Sequence, residues 1–425
     1  MLEPPQNFGV ELRRWRISAG LSLADLADKV HYSKSHLSRV ETGGKPPSVG
    51  LARRCDSELA AGGDLSALVR PAVGEHEPAG AGPAGGDHWR MTMAADGAGD
   101  FVVTASREHR NAGPALMTRW KRNNRGPATA DTAGILDSFD RMFKDLRTLG
   151  QNMSPSGMVP ILIGHTHALR THASSAKPSQ RPRALVAAAR YAEYTGWMCQ
   201  EAGDDHAALW WTDAAVRLAD EAGDRDFGPY ALVRQALITL YRGDAIGTVE
   251  RSKAAQRTDC SPRVRGLATQ REAQGWALGG DYDDCHRALD RAEALLSDSP
   301  GDDLAIGSWA VRDPVALARG WCLYDLGRPA AAAETINGEL VRIPRQATRA
   351  RARLGARLAL AYAAADEIEQ SCAVAGPVLD SLSIVDSATV RADVRDLGRA
   401  FARRHRNARV REILPRLTAA LNEQR

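Results

Sequence analysis

The chain has 425 residues, 44% of them apolar and 25% charged, with a formal net charge of +4. That length suits two or three domains, and the composition is that of a folded protein rather than a disordered one. No stretch approaches the ~18 consecutive apolar residues of a membrane span, and Met1 to Gln6 lack the basic-then-apolar order of a secretion signal.

The six cysteines stand apart at 55, 199, 260, 285, 322 and 372, with no C-x-x-C. A zinc ribbon and a disulfide framework are therefore not expected, and a reducing, cytoplasmic setting fits. Residues 8–54 hold nine Lys or Arg against four Asp or Glu. Lysine is otherwise scarce, an arginine bias of the kind a GC-rich genome imposes.

Residues 8–19 predict a first amphipathic helix with Leu12, Trp15 and Ile17 inward, ended by Gly20. Ser22 is placed to cap the second helix, 23–30, and Ser33 the third, which runs to Gly43. Only a short turn at His31 and Tyr32 separates them. Leu26, Ala27, Val30, Leu37 and Val40 have the spacing to pack the second helix on the third. Residues 48–59 and 64–69 predict two more helices, closing a compact five-helix unit.

Leu26, Ala27, Ser33, Leu37, Ser38, Glu41 and Gly43 follow the pattern L-A-x5-S-x3-L-S-x2-E-x-G. Over residues 8–69 the chain thus resembles an Xre/Cro-type helix-turn-helix domain, with a lambda-repressor-like fold. One departure is Leu23, where such domains often carry a phosphate-anchoring Gln; a polar contact there would have to come from Ser22. The resemblance implies double-stranded DNA as partner. A major groove admits one helix, and its N-terminal part reaches the base edges. Ser33, Lys34, Ser35, His36, Ser38 and Arg39 occupy that part. Lys34 and Arg39 suit guanine or phosphate, and Ser33 and Ser35 suit phosphate. Arg13, Arg14, Arg16 and Lys45 are candidates for backbone contacts, with a solvated face an equal alternative for any one arginine. Glu41 reads as a partner inside the domain. Such domains usually dimerise to read two half-sites, so a homodimer is expected, joined through the helical region that follows.

Residues 71–88 are Gly, Ala and Pro without an apolar face, a linker that cannot offset its ordering entropy. Alternating segments at 89–94 and 101–106 flank a Gly/Asp turn and predict a β-hairpin. From about 131 onward the spacing is helical.

The helical part repeats. Gly203, Gly243, Gly280 and Gly327 each precede a polar or Pro-containing turn, at steps of 40, 37 and 47 residues. Small residues stand seven before (Gly196, Ala236, Ala273, Gly320) and five after (Ala208, Thr248, Cys285, Ala332). Ala215, Ala255 and Ala292 stand twelve after, where Glu339 breaks the rule. This register resembles the tetratricopeptide repeat over 185–345, with degenerate or capping pairs at 346–382 and 388–423. The long step implies an inserted loop near 297–312. A plain bundle is the alternative.

The arrangement also resembles actinobacterial regulators and peptide-pheromone receptors that join such a head to helical repeats. That resemblance implies a concave surface for a peptide or protein effector, with repression the commoner outcome. In this register the inward positions include Arg190, Glu193, Trp197, Gln200, Tyr230, Tyr241, Gln270, Gln274, Trp321 and Tyr324. Rings supply area and amides bind backbone groups, although Trp197 and Trp321 could equally be inter-repeat packing. Trp210 and Trp211 read as core. His165, His167 and His172 lack acidic or Cys partners at ligand spacing, so no metal is expected. No phosphate loop, H-E-x-x-H or G-x-S-x-G is present, so neither an enzyme nor a cofactor is expected.

The expectation is an all-α, dimeric, cytoplasmic transcriptional regulator with no membrane contact. It has a DNA-binding domain at 8–70, a linker with a hairpin at 71–130 and an α-solenoid at 131–425. The rivals are a protein-interaction scaffold tethered to DNA and a small-molecule-responsive regulator. A peptide predicts a long open groove; a small molecule predicts a closed pocket.

Overall fold

The computed structural model describes residues 8–30, 32, 34–42, 47, 49–59, 61, 64–68, 88–93, 99–104, 114–120, 132–297, 306–307 and 313–422. Its internal contacts divide the chain into two units, residues 1–84 and 85–425. The linker expected at 71–88 lies outside the described residues, except for His88.

The first unit comprises α1 (Phe8–Ser18), α2 (Leu23–Val30), α3 (Lys34–Glu41), α4 (Val49–Leu59) and α5 (Asp64–Ala67). Leu12, Leu26, Val30, Leu37, Leu51 and Leu65 are fully buried at its centre. Gly20 adopts φ 68° and ends α1, a left-handed turn that side chains disfavour. Ile17 corrects the expected inward face: it is 59% exposed, while Phe8 is buried and Trp15 half-buried. Ile17 stands nine positions after Phe8, which is two and a half helical turns, so the two point oppositely.

Gly9 sets how closely α1 approaches the end of α3. A Cβ there would lie 2.5 Å from the Val40 carbonyl oxygen and 2.6 Å from that of Glu41. Backbone oxygens cannot swing aside. Gly9→Ala is expected to destabilise this unit by about 1–3 kcal/mol, the usual cost of overpacking. Amide hydrogen exchange of α1 and α3 in the intact chain reads this; unchanged protection would show that the helices separate freely.

The second unit begins with β1 (His88–Met93), β2 (Gly99–Thr104) and β3 (Pro114–Trp120) in an antiparallel sheet of order β1-β2-β3. The expected hairpin is β1–β2, with His88 opposite Thr104 and Met93 opposite Gly99. The third strand was not anticipated. It opens on Pro114, which pairs with Thr104 where the register shifts; proline has no N–H to complete the ladder there.

Helices follow: α6 (Thr132–Leu149), α7 (Pro155–Ser175), α8 (Arg181–Glu201), α9 (Asp205–Ala222), α10 (Phe227–Tyr241), α11 (Ala245–Arg257) and α12 (Pro262–Gly279). The last seven are α13 (Tyr282–Ser297), α14 (Pro314–Asp325), α15 (Pro329–Arg342), α16 (Thr348–Ala364), α17 (Ile368–Val385), α18 (Ala388–Ala402) and α19 (Ala408–Asn422). Gly203, Gly243, Gly280 and Gly327 all take positive φ, from 72° to 87°, in the turn within a helical pair. Asp204 and Asp244 then accept the N–H of Ala207 and Gly247 at 2.8 Å, capping α9 and α11. Pro329 opens α15 instead, where a missing N–H costs nothing.

Small residues let each pair cross. A Cβ on Gly196 would sit 3.0 Å from the Ala208 carbonyl oxygen, and one on Gly320 would sit 2.6 Å from the Ile336 side chain. Ala236, Ala273, Thr248, Cys285 and Ala332 are fully buried. Glu339 is buried too, held 2.8 Å from Arg342. Of the inserted loop between Ser297 and Pro314, only Ile306, Gly307 and Asp313 are described. Trp210 corrects another expectation. It is 53% exposed, edge-on to a half-buried Trp211, because Ala208, Thr212, Ala215 and Ala219 occupy the buried face of α9. Among the described residues no helix is long and apolar enough to cross a membrane.

Candidate functional site

In the first unit Ser22 and Asp25 form a reciprocal cap on α2. The Asp25 N–H donates to Ser22 Oγ at 3.2 Å, and the Ser22 N–H donates to Asp25 Oδ2 at 2.9 Å. The Ser22 hydroxyl, and then the Ser22 N–H, hold the Asp25 carboxyl below its ordinary range. Leu23 packs against the core. Arg16 departs from the expected backbone-contact role. Its Nε and Nη2 donate to the Glu41 carboxylate at 2.7 and 3.0 Å, and Nη1 donates to the Leu21 carbonyl at 2.9 Å. The pair ties α1 to α3, with Glu41 as the internal partner its motif position suggested.

Arg13 and Arg14 are exposed, Arg14 lying 3.1 Å from Glu11. Lys34 is exposed as the first residue of α3. Ser38 is half-buried, and its carbonyl accepts the Thr42 hydroxyl at 2.8 Å. Ser33 and Lys45 lie outside the described residues, as do the side chains of Ser35, His36 and Arg39 on α3.

The second unit differs from an open groove. Its helical array closes on itself where α16 and α18 reach the end of α8. Arg349 on α16 is the seam, 2% exposed. Its Nη1 donates to Glu201 at 2.9 Å, its Nε to the Gly150 carbonyl at 2.9 Å, and its Nη2 to the carbonyls of Met153 and Val385 at 2.6 and 2.9 Å. Glu201 also accepts the hydroxyls of Ser387 at 2.5 Å and Thr389 at 2.9 Å. Burial pushes the Glu201 carboxyl up, but Arg349, Arg353 and the two hydroxyls override it and hold it below 4.5.

The ring surrounds a partly open cavity of about 200 Å³. Of the residues expected on the concave face, it brings together Arg190, Glu193 and Trp197 on α8, Tyr230 on α10, Gln270 and Gln274 on α12, and Trp321 on α14. Gln200 is buried behind them, accepting from Arg234 Nη2 at 2.8 Å. Tyr241 lies beneath the Arg353 guanidinium, 5.3 Å from it. Tyr324 is packed into the core away from the cavity.

The arginines were largely missed. Arg147, Arg234, Arg263, Arg271, Arg349 and Arg353 join Arg190 in the wall, against two carboxylates, Glu193 and Glu201. The repeat register held the signal for two of them. Arg234 and Arg271 stand nine residues before Gly243 and Gly280, and Tyr194 and Ala318, at the same place in their repeats, also line the cavity. The inserted loop reaches the wall as well: Arg147 Nη2 donates to the Gly307 carbonyl at 2.6 Å and Arg263 Nε to that of Ile306 at 3.0 Å. His165 lies elsewhere, stacked on Tyr191 with Nδ1 2.7 Å from the Ile161 carbonyl.

Residues 7–69 match the family described as a helix-turn-helix domain, the stretch that α1 to α5 occupy. The N-terminal unit therefore carries a helix-turn-helix domain. No curated protein matches the chain. Among solved structures the chain is similar to Bacillus thuringiensis PlcR in complex with the peptide PapR7 and DNA. Identity is 10% and the TM-score 0.31, over 88% of this chain and 99% of that one.

Proposed function

We propose that this chain, with its helix-turn-helix domain over residues 7–69, is a DNA-binding transcriptional regulator of the Xre/Cro type found in actinobacteria. The observation that carries this reading is the coincidence of the matched segment with the five-helix unit. The domain division at 8–70, 71–130 and 131–425 belongs to the same proposal. The DNA-reading set is Ser22, Ser33, Lys34, Ser35, His36, Ser38 and Arg39, with Arg13, Arg14 and Lys45 for phosphates.

In this reading the protein acts in the cytoplasm as a homodimer joined through the helical unit, which senses an effector and shifts the spacing of the two heads. Only a difference in effector affinity between the two spacings can drive that shift. A peptide or protein was the first expectation for the effector. The cavity's volume of about 200 Å³ favours the alternative of a small molecule, because an extended peptide needs a longer groove.

The test is binding of genomic fragments by the purified chain, followed by footprinting at several salt concentrations. A two-fold protected site is expected, with half-sites ~34–36 Å apart. Its affinity should fall ~10³–10⁵-fold between 50 and 200 mM salt if six to ten phosphates are neutralised. Weak binding without a protected site would reject this reading in favour of a scaffold.

A further inference from the structure

Among the described residues, the ring cavity is lined by more positive than negative side chains. Seven arginines face two carboxylates, and both carboxylates are engaged. Glu201 is taken by Arg349, Ser387 and Thr389. Glu193 lies 3.6 Å from Arg234, and burial pushes its carboxyl up, which weakens it as a counter-charge.

Arg271 is left least compensated. Its Nη1 donates to the side-chain oxygen of Gln274, and it forms no ion pair among the described residues. Burial, followed by the like charge of Arg353, lowers its pKa to about 10. Arg271 is half-buried, and a partly desolvated charge without an ion pair favours a counter-ion.

Unpartnered donors converge on the same space. Trp321 Nε1 and Arg353 Nε have no hydrogen-bond partner, while Arg234 Nε faces Glu193 Oε1 at 3.6 Å. Trp321 is 6% exposed and Arg234 5%. Such donors are rarely left unsatisfied in a native interior. Leu317 and Leu354 add an apolar wall. The space, about 200 Å³, is below the ~300–1,000 Å³ of drug-sized ligands, so its occupant is compact.

We propose that the ring cavity binds a small organic anion: its carboxylate or phosphate is held by Arg271, Arg353 and the Trp321 indole N–H, and its apolar body lies against Leu317 and Leu354. The proposal rests on the effector half of the function given above. Its test uses no DNA, so a failed assignment of the head leaves it standing.

The experiment is calorimetric titration of the full chain with benzoate, phenyl phosphate and neutral benzyl alcohol. At least one anion is expected to bind once per chain and at least tenfold more weakly to Arg271→Met. Benzyl alcohol should not bind. The stronger anion tells a carboxylate ligand from a phosphate ligand. A second measurement needs no ligand. In low-salt buffer Arg271→Met should melt above the parent chain, because it removes a half-buried charge that forms no ion pair among the described residues, and the anions should raise Tm only in the parent. Failure of both anions to bind at millimolar concentration, equal binding to the variant, or a lower Tm for the ligand-free variant would each overturn the proposal.

Discussion

Replacing Arg349 by methionine is expected to destabilise the helical ring by about 3–5 kcal/mol, the usual cost of breaking a buried ion pair from one side. Methionine fills much of the space but leaves Glu201 buried with two hydroxyls and the charge of Arg353, without its direct ion pair, and it frees the carbonyls of Gly150, Met153 and Val385. Chemical denaturation of the intact chain measures the loss. The double variant Arg349→Met/Glu201→Gln should recover part of it, because the stranded charge is gone; the difference gives the coupling between the two residues.

The pair also sets a direction with pH. Glu201 titrates below its ordinary value in the folded chain, so its contribution is full above that value and is lost as pH falls through the folded one. The variant should therefore lack this part of the acid sensitivity. A loss under ~1 kcal/mol, the range of an exposed pair, would mean that other contacts hold the ring shut.

The second large effect concerns the head. Lys34→Ala together with Arg39→Ala should lower operator affinity by about one to four orders of magnitude, at ~1–3 kcal/mol for each lost base contact. Both positions fall in α3, whose Leu37 and Val40 are buried. Lys34, at its first residue, is exposed. Both substitutions keep Arg16 and Glu41, which clamp α1 to α3, so the unit should stay folded. Footprinting reads the affinity, and sedimentation checks that the oligomeric state is unchanged. Undiminished operator affinity would remove α3 from the role of recognition helix.

Much of this architecture was legible because turns and caps depend on residues close together in the chain. The spacing of Gly203, Gly243, Gly280 and Gly327 marked four left-handed turns, since only a residue without Cβ takes that backbone cheaply. The small residues around them marked the helix crossings, and Ser22 marked a cap whose partner, Asp25, lies three residues on. The concave register also pointed toward Trp321, Gln270 and Tyr230, because helical periodicity assigns faces without knowing the fold.

Exposure of Ile17 and Trp210 was not legible in the same way. Both are apolar, and only the neighbours that a helix meets decide which apolar residue is left outside. Closure of the ring was further out of reach. The Arg349 side chain bonds residues up to 199 positions away, and nothing near it in sequence distinguishes it from Arg351 or Arg353. The path of a helical array follows from small rotations summed over every repeat. The sequence alone therefore determined the repeats and the head. Tertiary structure decided that the array closes and gathers seven arginines around one cavity, because closure is a sum over the whole array and is written in no single segment.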